Sequence, residues 1–122
     1  MTLTVLIITL FVLTVDAKAV ERWPVSQAAK RWHPDRDWLR GAFCIHRHES
    51  VDWHRRWTDW AGNRSPYAGG MQFMQSTWER AGGNGEPWQW APREQLYRAH
   101  VIWRKGGGSW REWGTAGRCG LA

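Results

Sequence analysis

Trp38, Ala42, Ile45 and Glu49 recur at steps of four, three and four, which puts all four on one face of a helix. Glu49 is the only charge on that apolar stripe, and it closes the stripe at its C-terminal end. Burial disfavours an ionised carboxylate and raises its pKa. A Glu that keeps its proton near neutral pH is what a general acid requires. The competing arrangement is an ion pair between Glu49 and a nearby cation such as Arg47 or Arg55. His46, His48 and His54 bring metal chemistry into view, because His48-Glu49-Ser50-Val51-Asp52 has the spacing of a zinc-protease helix with Asp in place of the second His. No third ligand follows, so solvated or stacked histidines, with no metal and no cofactor, are the expectation.

The elements that must carry these residues are mostly helical. Pro24 and Pro34 punctuate the start, with a short helix expected over Ser26–Trp32 and a longer one from Asp35 to about Ser50. Residues 59–70 are rich in turn formers and paired glycines, which predicts a hairpin or an ordered loop. Ser76 and Glu79 have the spacing of a capping box, and Gly82 stands where that helix would stop. Pro92 suits the first position of a helix running to about Lys105, ended by Gly106–Gly108. A short turn over Trp110–Trp113 precedes the tail. The fold class is α+β, mostly α, with a minor hairpin region.

A chain of 122 residues holds one small domain, and 43% hydrophobic residues are enough for a core, which makes intrinsic disorder a poor reading. Leu3 to Val15 is apolar or Thr throughout and is followed by a small-x-small pattern at Ala17 and Ala19, the layout of a cleavable secretory signal over residues 1–19. Nowhere does an apolar run reach the roughly 18 residues of a membrane-spanning helix. The two cysteines, Cys44 and Cys119, most simply form one disulfide in an oxidising compartment, with two unrelated buried thiols as the alternative. The formal charge is +6, carried largely by Arg, beside 12 Trp. That combination suits stacking on bases and pairing with phosphates, packing on sugar faces, or attraction to an anionic wall or membrane surface. Core packing must also claim several of the Trp.

Ordered motifs separate these readings. Cys44-Ile-His-Arg-His-Glu49-Ser50, then Tyr67-Ala-Gly-Gly-Met-Gln72-Phe73 and Thr77-Trp78, resemble the transglycosylase-like domain of resuscitation-promoting factors. Ala91-Pro-Arg-Glu-Gln95, the Trp110/Trp113 pair and the Cys119-Gly120 ending are similar as well, so the resemblance spans about Trp38 to Gly120. It implies a small lysozyme-like domain over residues 38–122, preceded by an N-terminal extension at 20–37, and a Cys44–Cys119 disulfide. It also implies cleavage of the β-1,4 bond between N-acetylmuramic acid and N-acetylglucosamine in peptidoglycan, with Glu49 as catalytic acid. Tyr67, Gln72 and Thr77 match residues that line the substrate cleft. The partner implied is the bacterial wall glycan and not nucleic acid; the signal layout predicts a secreted or wall-associated protein, and monomer is the default. For hydrolysis by a carboxylate pair, Asp59 and, less well placed, Asp52 are the candidate second groups.

Overall fold

Asp35 begins the helix that carries Glu49: its carboxylate accepts from the backbone N–H of Asp37 and Trp38, both at 3.1 Å, and so satisfies two donors that a helix start leaves unpaired. The computed structural model describes residues 23–57 and 65–121. The expected signal segment 1–19 and Asp59 lie outside them. A first short helix, α1 (Gln27–Arg31), is capped by Ser26, whose Oγ accepts from Ala29 N at 3.2 Å. The second, α2 (Arg36–Glu49), ends where Ser50 turns extended. Trp38, Ala42 and Ile45 are buried on it, as the stripe requires.

Two short strands follow. Tyr67–Ala68 (β1) pairs antiparallel with Phe73–Met74 (β2), in the register Tyr67 to Met74 and Ala68 to Phe73. The hairpin therefore lies at the end of the turn-rich segment and beyond it. Helix α3 (Gln75–Arg80) starts directly from β2, with Met74 at the cap position and no side-chain cap bond. Ser76 is thus inside the helix, and the expected Ser76/Glu79 capping box does not form. The strand already fixes the entry, and Glu79 Oε1 instead accepts from Gln75 Nε2 at 3.1 Å. Gly82 ends the helix with φ of +84°, as expected.

A 3-10 turn (Pro87–Gln89) leads to α4 (Pro92–Lys105), which opens on Pro92 and stops at Gly106. The last element is a 3-10 turn at Ala116–Cys119. One core is shared by α2, the hairpin, α3, α4 and the tail, through Trp38, Ile45, Met71, Phe73, Trp78, Leu96, Ile102, Trp110 and Trp113. Most of the described Trp belong to this core or pack against it, which leaves fewer for a cleft than composition allows. The architecture is α+β, mostly α, and no helix among the described residues is long and apolar enough to cross a membrane.

The described part of the expected extension docks on α4. Arg93 reaches back to the carbonyls of Ala29, at 2.7 Å, and Trp32. Ser26 N donates to Glu94 Oε2 at 2.8 Å, and the buried Glu94 also pairs with Arg98 at 2.9 Å. Cys44 and Cys119 form a disulfide that ties α2 to the terminal 3-10 turn.

Candidate active site

The last turn of α2 leaves Glu49 half-buried beside the tail. Thr115 donates its hydroxyl to Glu49 Oε1 at 2.9 Å across a separation of 66 residues. The ion pairs among the described residues are Arg40–Asp37 and Arg98–Glu94, so the alternative in which Arg47 or Arg55 neutralises Glu49 is not adopted. Burial of the carboxyl pushes its pKa up from the ordinary value, and the Thr115 hydrogen bond opposes that shift in part. The outcome is a carboxyl shifted towards its protonated form and oriented by one neutral donor.

The disulfide is what brings Thr115 to this place. Cys119 closes the 3-10 turn that begins just after Thr115, and Cys44 lies on α2 little more than one turn before Glu49. One covalent tie therefore sets the tail against the end of α2.

Three side chains from three parts of the chain hold the hairpin turn against the same junction. His46, one turn before Glu49, bonds the Gly70 carbonyl through Nδ1 at 2.8 Å; a carbonyl only accepts, so Nδ1 carries the proton. Burial lowers the pKa of His46 and keeps the ring neutral, against the opposing pull of that backbone hydrogen bond. Gln95 of α4 accepts from Gly70 N at 2.9 Å and donates to the carbonyls of Trp53 and Trp90. Trp113, two residues before Thr115, donates Nε1 to the Met71 carbonyl at 2.9 Å. Gly70 has no freedom here: a Cβ would strike the ring of Trp53, which stacks on His46 at 3.8 Å between centroids.

Gln72 closes this turn. Its φ of 51° is unusual for a residue with a side chain, and its Nε2 donates to the Gly69 carbonyl at 2.7 Å. One N–H of the amide is thereby committed to the turn, and the side chain is buried. Glu49 and Gln72 flank one junction, since His46 and Trp113 grip the two residues before Gln72 while Thr115 grips Glu49. No hydrogen bond among the described residues joins them directly.

The other two expected contacts sit further out. Tyr67 is exposed at the hairpin edge opposite Met74, also exposed, next to a groove of about 490 Å³ lined by Trp57, Pro66 and Met74. Thr77, on α3, accepts from Arg80 at 3.2 Å and lines a separate cavity of about 330 Å³. Arg80, Lys105, Ser109, Arg111 and Glu112 share that cavity, whereas Glu49, Tyr67 and Gln72 are not in its walls.

The zinc-protease spacing is not realised, because α2 ends at Glu49 and Asp52 lies past an extended Ser50. Asp52 instead accepts from His54 N at 2.9 Å and shapes the following turn. Cys44, His48 and Cys119 bring ligand atoms within 4.8 Å of one another, but the two sulfurs are bonded together and so are spent as ligands. Comparison with family models, with curated proteins and with solved structures finds no match for this chain.

Sequence reasoning missed Thr115, His46, Gln95 and Trp113 as the groups that build the junction. Gln95 and Trp113 carried a signal through the resemblance motifs, and His46 stood out only as a possible metal ligand or a stacked ring. All four act through partners distant in sequence, which spacing does not reveal.

Proposed function

We propose that the protein is a secreted or wall-associated lytic transglycosylase of lysozyme-like fold, cleaving the β-1,4 bond between N-acetylmuramic acid and N-acetylglucosamine. The observation that carries the reading is the Glu49 carboxyl, half-buried at the end of an apolar stripe, oriented by a hydroxyl instead of a cation and shifted towards its protonated form. The motif resemblance to resuscitation-promoting factors supplies the substrate.

Glu49 donates its proton to the glycosidic oxygen as the bond to C1 breaks. The carboxylate so formed takes the proton of the muramic C6 hydroxyl while that oxygen bonds to C1, which restores the acid and leaves a 1,6-anhydro end. Thr115 stabilises the carboxylate between the two halves. Gln72 and Tyr67 bind the glycan at the hairpin, and Thr77 contacts it from α3. One carboxyl suffices for both proton transfers, and no metal or cofactor takes part. Hydrolysis of the same bond is the second reading, with Asp59 as the partner carboxylate.

Purified peptidoglycan incubated with the oxidised mature protein and analysed by mass spectrometry tests the proposal. Anhydro-muramic ends that disappear with Glu49→Gln are expected. Reducing ends would favour hydrolysis, and wall binding without product would overturn the enzymatic reading.

A further inference from the structure

The cavity beside Thr77 is lined by three cations. Arg80, Lys105 and Arg111 converge on it from α3, the end of α4 and the tail, with the hydroxyls of Thr77 and Ser109 between them and Glu112 as the one carboxylate. None of the three cations belongs to either ion pair found among the described residues. Lys105 Nζ donates to the backbone carbonyl of Arg80 at 2.8 Å, which ties the end of α4 to the end of α3 at one rim. Arg80, Lys105 and Arg111 are all exposed at this rim, so their charge faces incoming solutes. The volume of about 330 Å³ exceeds the needs of a single small ion and lies at the lower end of the range for organic ligands. Arg111 and Glu112 run directly into Trp113 and Thr115, the residues that grip the hairpin turn and Glu49. One short segment therefore carries part of the cavity wall and the hydroxyl that meets Glu49.

We propose that this cavity is a subsite for a carboxylate carried by the substrate, the acidic peptide stem of the wall glycan, bound by the guanidinium groups of Arg80 and Arg111 with Lys105 and the two hydroxyls in support. The choice of ligand rests on the wall-glycan reading of Glu49. Guanidinium groups match a carboxylate through paired N–H donors, and hydroxyls complete its coordination.

The test titrates the full oxidised chain, by calorimetry, with soluble disaccharide–peptide fragments bearing free stem carboxylates and with the same fragments after amidation. The acidic fragment is expected to bind about tenfold more tightly than the amidated one. That ratio is expected to fall to about one in Arg80→Gln and in Arg111→Gln, and to shrink with added salt. Arg111 is the cleaner variant, since its guanidinium has no hydrogen-bond partner among the described residues and its loss leaves the fold intact. Equal affinities in the wild type, or a ratio untouched by both substitutions, would overturn the proposal. So would poly(glycerol phosphate) outcompeting the acidic fragment, which would make phosphate the occupant. The two readings fail separately: Arg111-dependent discrimination without wall cleavage removes the proposed reaction, and cleavage without discrimination removes the subsite.

Discussion

Removing the disulfide is expected to destabilise the domain and dismantle the acid's surroundings together. The Cys44–Cys119 bridge closes a loop with a separation of 75 residues that contains the hairpin, α3 and α4. For a loop of that length, chain entropy assigns about 4–4.5 kcal/mol to the cross-link. Small domains have roughly 5–15 kcal/mol in total, so about a quarter or more of the stability hangs on one bond. At about 4–5 °C per kcal/mol for a chain near 100 residues, Cys44→Ser/Cys119→Ser is expected to melt roughly 20 °C lower. The local effect follows from position. Without the bridge the 3-10 turn is held to α2 by packing alone, and Thr115 loses its fixed distance to Glu49. Wall cleavage should then fall at temperatures where far-ultraviolet circular dichroism still reports folded helices. Thermal melts and activity on the same samples, with chemical reduction of the wild type as a second route, check both halves. A melting point within about 5 °C of wild type would refute the reasoning, because it would show that Trp110 and Trp113 hold the tail without the covalent tie.

Three further substitutions probe the junction. Gln95→Leu leaves Gly70 N and the Trp53 and Trp90 carbonyls without their partner, and is expected to cost about 3–5 kcal/mol in urea unfolding. Glu49→Gln should stabilise the fold at pH 7. The folded-state pKa of Glu49 is raised, so wild-type stability falls as pH climbs from the ordinary carboxylate value of 4.5 through the raised value and then levels off. The amide still accepts from Thr115 but does not ionise, so melts of variant and wild type should converge below pH 4 and separate at pH 7. Thr115→Val removes the one interaction that lowers the Glu49 pKa, so the alkaline limb of the pH–rate profile should move to higher pH.

Much of the framework is written in short-range signals. Asp35 and Pro92 mark the starts of α2 and α4 through capping chemistry that depends on adjacent residues, and the apolar stripe of α2 announces its buried face. Glu49 stood out for the same reason, as a charge at the end of that stripe. Ser76 misled because capping-box spacing is local, while the true start of α3 is set by strand pairing between Met74 and Tyr67. The junction was less legible. Thr115 meets Glu49, His46 meets Gly70 and Gln95 meets Gly70 only after the hairpin, α4 and the tail have packed. Likewise the cavity cations come from three separated segments, so +6 of net charge showed their number and not their convergence.

The most direct measurement follows the side-chain carboxyl of Glu49 by ¹³C NMR across pH, beside the pH dependence of kcat/KM for wall cleavage by the same protein. That rate reports the groups that matter in the free enzyme. The account predicts that Glu49 titrates above the ordinary carboxylate range and that the alkaline limb of the rate follows its titration. A Glu49 that titrates as an ordinary exposed carboxylate, with cleavage indifferent to its protonation, would contradict it.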